Sequence, residues 1–133
     1  MDPTEFLRSA MPLCATLDIT ASELSPERVV LALGWRPELC TSNGLLHGGA
    51  VMALADAAGG ACAYSNLPDG AVGTSTIESK TNFLGAVREG NTVTATATPL
   101  HVGRTTIVVE TELRTDDGKL VGKTTQTQTV LSS

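Results

Sequence analysis

Apolar positions change their spacing along this chain, and each spacing predicts a different element. Phe6, Leu7 and Met11 follow Asp2-Pro3-Thr4-Glu5, where an N-cap acid, a proline at the first helical position and a Glu at the third open a short amphipathic helix that ends before Pro12. Such a helix suits a cover over one edge or end of a core. Residues 14–20 and 28–36 are short apolar runs on either side of Ser25-Pro26, and they predict two strands paired antiparallel across that turn. Pro37 to Gly44 is polar and irregular. From His47 to Tyr64 almost every residue is small and apolar, which predicts one long helix starting at the glycine pair Gly48-Gly49 and stopped by Asn66-Leu67-Pro68-Asp69-Gly70. From residue 72 the period becomes two. The stretches 72–84, 91–102, 104–115 and 119–131 are rich in Thr, Val and Ile, and Asp116-Asp117-Gly118 is a hairpin turn between the last two.

Two strands, a long helix and four strands on short connections make an α+β domain in which an antiparallel sheet wraps a central helix. At 133 residues the chain has room for one such domain, spanning 1–133. A formal charge of −5 with scattered basic residues argues against a nucleic-acid partner, whose phosphates require clustered Lys and Arg. The three cysteines, Cys14, Cys40 and Cys62, show no metal or redox spacing, and with no secretory signal they point to reduced thiols in the cytoplasm. No metal ligand set is expected, and the longest apolar run is broken by Asp56, which argues against a membrane span.

Asp56 is the one formal charge inside the long helix. A helix apolar on every side is expected to be buried, and a buried carboxylate costs several kcal/mol unless it is partnered. Its retention suggests a reactive carboxylate, with the glycines at the helix start as an oxyanion-binding end: amides there are unpaired and lie at the positive end of the helix dipole. Gly59 and Gly60 read as close-packing positions.

The segment Gly44-Leu-Leu-His-Gly-Gly-Ala-Val-Met-Ala-Leu-Ala-Asp56, followed by Asn82-Phe83-Leu84, Arg88-Glu89-Gly90 and His101-Val102-Gly103-Arg104-Thr105, resembles the hotdog-fold acyl-CoA thioesterases, in particular the phenylacetate-pathway and hydroxybenzoyl-CoA thioesterase group. The resemblance covers nearly the whole chain, and its most specific part is His-Gly-Gly with an acid nine residues after the His. It implies a curved antiparallel sheet around the helix, homodimers often paired into tetramers, and hydrolysis of an acyl-CoA without metal or cofactor. It assigns the oxyanion donor to the Gly48 amide and the general base or nucleophile to Asp56. His47 is a catalytic candidate with a competing structural role in holding the loop. Where relatives carry Gln or Asn six residues before the His, this chain has Thr41, with Asn43 two residues later; either fits the role. Gly60 stands where some members carry a water-orienting Thr, and Thr76 is the substitute hydroxyl. Gly103-Arg104-Thr105, with Arg88 as a second candidate, matches the segment that contacts the CoA nucleotide, where a guanidinium suits phosphate. Phe83, Trp35 and Tyr64 are candidate pocket walls.

Gly48 and Asp56 are eight residues apart, which on one helix is about 12 Å along the axis. A reacting carbonyl lies about 3 Å from its donors and close to the attacking group. One helix cannot supply both, so the acid is expected from a second copy, giving two sites in a two-fold dimer. The competing readings are a hotdog dehydratase or hydratase, whose His motif differs from this one, and a non-catalytic acyl-CoA-binding hotdog protein, which as a regulator is expected to carry a DNA-binding extension that this sequence lacks.

Overall fold

The computed structural model describes residues 1–133. Its elements are α1 (Pro3–Ala10), α2 (Pro12–Thr16), β1 (Thr20–Leu24), β2 (Val29–Gly34), 3₁₀ turns at Pro37–Leu39 and Ser42–Gly44, α3 (Gly48–Ser65), β3 (Ala71–Phe83), β4 (Thr92–Val102), β5 (Thr106–Arg114) and β6 (Leu120–Ser132). The strands form one antiparallel sheet in the order β1-β2-β4-β5-β6-β3, with α3 against one face. This is the α+β hotdog arrangement.

Period two explains which face meets the helix. Val29, Leu31 and Leu33 of β2, Val93, Ala95 and Ala97 of β4, and Ile107, Val109 and Leu113 of β5 alternate inward and are fully buried. They pack with Val51, Leu54, Ala55, Ala58 and Cys62 of α3 in one core cluster. Each large side chain so buried contributes about 1.5–3 kcal/mol. Toward β6 the same inward parity turns polar: Thr124, Gln126 and Gln128 are buried there, beside Thr111 of β5.

The first helix begins as expected, with Asp2 accepting the Glu5 amide. The strand expected at 14–20 is not formed. Proline's fixed φ suits a first helical turn as well as it ends the previous one, so Pro12 starts α2. Asp18 then turns the chain at φ 57°, held by Arg8 at 2.7 Å, and β1 begins only at Thr20. It still pairs antiparallel with β2.

The two sheet edges differ. β1 is short, bulged between Ala21 and Glu23, and tied to α1, where the Thr4 hydroxyl bonds both the N–H and the C=O of Ala21. β3 is 13 residues long and its outer edge is bare, with Val72 and Ile77 66% and 63% exposed. Long uncovered edges are templates for pairing, which proteins normally blunt. A second expectation also needs correcting: α3 is not buried all round. Gly49, Asp56 and Tyr64 are exposed, although the Asp56 carboxylate still reaches Gln126 at the sheet. No helix is long and apolar enough to cross a membrane.

All three cysteines are free. Burial pushes the Cys62 thiol up to about 11, so the unfolded chain, with its ordinary thiol, loses that proton first as pH rises. Two outcomes are expected. Maleimide at pH 8 labels Cys40, the least buried of the three, before Cys14 and Cys62, which need denaturant. The contribution of Cys62 to stability, intact below the ordinary thiol range, declines as pH rises from about 9 toward 11, which urea midpoints in wild type and Cys62→Ala will reveal.

Candidate active site

The loop entering α3 is pinned from three sides. Trp35 Nε1 donates to Gly44 O at 2.9 Å, the Leu46 amide donates to Val87 O, and the His47 amide donates to Leu39 O. His47 is then the N-cap: its Nδ1 accepts the Gly49 amide at 2.8 Å, and its carbonyl accepts from Ala50 and Val51. The ring can fold back in this way because residue 49 has no Cβ, which would stand 2.9 Å from Nδ1. The Gly48 N–H alone in this first turn has no acceptor within the chain. It points out of the positive end of an 18-residue helix, where anions and developing oxyanions are stabilised.

Beside Gly48 lies a cavity of about 210 Å³ that Thr41, Leu45, Val51 and Phe83 help to line. Of the two candidates before the His, Thr41 reaches this cavity. Asn43 is occupied as the left-handed residue of the 3₁₀ turn, at φ 65°. Phe83 lies over Gly48, 3.2 Å from where a Cβ would stand. Tyr64 lines a second, apolar groove of about 190 Å³ with Phe6, Leu7, Ala10, Leu24 and Ala61. Trp35 lines neither, since its indole is spent on holding the loop.

Asp56 sits mid-helix and, contrary to expectation, exposed. Gln126 Nε2 donates to its Oδ1 at 2.9 Å and to Thr76 Oγ1 at 3.3 Å. Gln128 Nε2 also donates to Thr76 Oγ1, and Thr74 Oγ1 donates to Gln128 Oε1 at 3.0 Å. Thr76 therefore shares a network with Asp56 rather than touching it. The ion pairs of the chain are Arg8–Asp18, Arg28–Glu23, Arg114–Glu112 and Lys123–Glu110, so no cation neutralises Asp56. Its charge does reach α2: the Cys14 thiol is pushed up first by burial, drawn back by Arg8, and pushed up further by Asp56.

Sequence reasoning missed Gln126 and Gln128. The signal was their parity, since both fall at inward positions of β6 where alternation calls for apolar residues. Gly59 is the close-packing glycine, as a Cβ there would stand 2.0 Å from Gln126 Oε1. Gly60 has ordinary room, 3.9 Å from Met11.

The nucleotide candidates are not brought together within one chain. Gly103 closes the β4–β5 turn by donating to Thr106 O, and the Val130 amide donates to Thr105 O. Arg104 is exposed there, near the start of β3. Arg88 follows Val87 in the loop beside Leu46, at the Gly48 end of the sheet. His101 lies exposed at the end of β4, away from Asp56 and Gly48.

His47→Ala removes the cap and is expected to cost about 0.5–2 kcal/mol in urea denaturation, with His47→Asn recovering most of it.

Residues 43–122 match the family model described as the thioesterase superfamily. A protein of Saccharolobus solfataricus provisionally named an esterase is 34% identical over 119 residues, 90% of this chain and 83% of that one. Among solved structures, a thioesterase of Haemophilus influenzae superposes with a TM-score of 0.88 at 27% identity, covering 99% of this chain and 92% of that one. A variant of the phenylacetic acid degradation protein of Thermus thermophilus gives a TM-score of 0.83 at 26% identity, covering 90% and 99%.

Proposed function

Since the chain belongs to the thioesterase superfamily and is a hotdog thioester hydrolase, we propose that it hydrolyses a small aryl, aryl-acetyl or short- to medium-chain acyl-CoA, at two sites each shared by two copies of the chain. The observation that carries this is the split on α3. The unpartnered Gly48 amide lies at its start, and the uncompensated Asp56 carboxylate lies about 12 Å further along.

In the proposed site the thioester carbonyl oxygen accepts from Gly48 of one copy, and Asp56 of the other acts at the carbonyl carbon. As general base it takes a proton from water while the water oxygen bonds to carbon; as nucleophile it forms an anhydride that water then opens. In either course the C–S bond breaks, and the CoA sulfur leaves with the electron pair and is protonated. Thr41 lines the cavity beside Gly48, and Thr76 shares the Gln126 amide with Asp56. The exposed Arg104 and Arg88 are suited to the CoA phosphates, and a two-fold pair brings the β3-start end of one copy toward the Gly48 end of the other. His47 serves by capping, its Nδ1 accepting from the Gly49 amide.

The bare β3 edge supports the pairing, and its charges favour one register. In a two-fold antiparallel pair one residue faces its own copy. Centring on Glu78 or Lys80 sets like charges opposite each other, whereas centring on Ser79 sets each Glu78 against the partner subunit's Lys80, a favourable cross-strand pair. Along β3, Thr76 marks the position of Asp56 and Phe83 that of Gly48. The Ser79 register sets Thr76 against the partner's Asn82, beside the partner's Phe83, and so carries each acid toward the other copy's helix start.

Two measurements test this. Asp56→Asn, folded and dimeric, is expected to lose about 10²–10⁴ of kcat on benzoyl-, phenylacetyl- or hexanoyl-CoA; an equally fast variant, or a wild type that cleaves none of these, overturns the reading. Ser79→Cys is expected to form a disulfide-linked dimer on oxidation while Val72→Cys does not, and absence of the Ser79 cross-link rejects the register.

A further inference from the structure

The Asp56 side chain stands on the exposed face of α3, where it has several staggered rotamers to choose from. A carboxylate that must meet a carbonyl carbon has to be held near one geometry. Only one hydrogen bond within the chain holds it, the 2.9 Å bond from Gln126 Nε2 to Oδ1. We propose that Gln126 is the positioning residue for Asp56, fixing Oδ1 so that Oδ2 is presented off the helix toward the reacting carbon; this rests on the reading of Asp56 as the reacting group.

Gln126 is itself held in place. It is fully buried, its amide nitrogen is shared with Thr76 Oγ1, and Thr76 is in turn held by Gln128. Gln128 is held by Thr74, whose single hydroxyl proton lies within reach of both Gln128 Oε1 and Thr129 O. The network therefore ends in the β3–β6 ladder. Only one orientation of the Gln126 amide is tenable, because a flip would set Oε1 against the carboxylate. In the orientation found, Oε1 is buried with no donor, an arrangement that costs stability and that an apolar side chain of the same length would avoid. A position serving packing alone has no reason to bear that cost.

Gly59 completes the device. A Cβ at 59 would stand 2.0 Å from Gln126 Oε1 and 2.7 Å from Cδ, so α3 leaves a notch for the amide one turn from Asp56. The donor is also neutral. It orients the carboxylate without setting an opposite charge against it, as a guanidinium would.

The test is a double-mutant cycle on whichever of benzoyl-, phenylacetyl- and hexanoyl-CoA the wild type cleaves fastest, with a urea transition recorded for every variant. Gln126→Met is expected to lower kcat about ten- to a hundredfold, the usual cost of removing a partner that orients a reacting group, while KM stays within about twofold. In the Asp56→Asn background the same substitution is expected to change the residual rate by less than about twofold, because the two residues act as one unit. Gly59→Ala keeps Gln126 but displaces its amide, and is expected to reproduce the kcat loss; it also carries the test if Gln126→Met does not fold. The proposal is overturned if either variant, folded, retains kcat within about twofold of wild type, or if Gln126→Met costs the same factor with and without Asp56. A fully active Asp56→Asn enzyme instead overturns the reading of Asp56 itself, so the two failures are told apart.

Discussion

Gln126 can lie between α3 and β6 only because residue 59 carries no side chain, and this close approach sets how the helix crosses the sheet. On one side of the crossing, β2, β4 and β5 meet α3 with Val, Leu, Ile and Ala, and water is excluded in the ordinary way. On the other, β6 and β3 meet it with Thr and Gln, joined side chain to side chain. The apolar half supplies most of the stabilisation. The polar half is costly unless its groups are paired; the Gln126 amide nitrogen is paired with Asp56 and Thr76, while its Oε1 has no donor.

The same helix therefore offers two kinds of chemistry from different causes. At its start, the His47 cap consumes the Gly49 amide and leaves the Gly48 amide free, a consequence of backbone geometry alone. At its middle, a carboxylate is set by a buried side-chain network anchored in the sheet. What separates them is helical rise, and what can join them is a second copy.

The legible parts of the chain were those where one local rule dominates. The ends of β3 to β6 fall within about two residues of the positions read from alternation, and α3 begins at the glycine pair as expected. The short second helix was not legible, because proline both ends one helix and starts another, and the choice depends on tertiary room. Exposure of Asp56 was hidden for a similar reason. Gly49, Ala53 and Gly60 around it look like a buried helix by composition, but whether a face is covered depends on what other elements the chain can spare. His47, Gly48 and Asp56 stood out as candidates through a distinctive spacing. Gln126 and Gln128 were not, since a glutamine among threonines in a strand carries no chemical signal until its face is known.

The bare edge of β3 also places a clock on the newly made chain. If it is closed by a second copy at an ordinary association rate of about 10⁶ M⁻¹ s⁻¹, a strand at micromolar concentration waits about a second for its partner; at nanomolar concentration the wait is about a quarter of an hour. During that wait the edge can accept any extended peptide that reaches it. With such a pairing, abundance as well as folding becomes part of what keeps the edge closed.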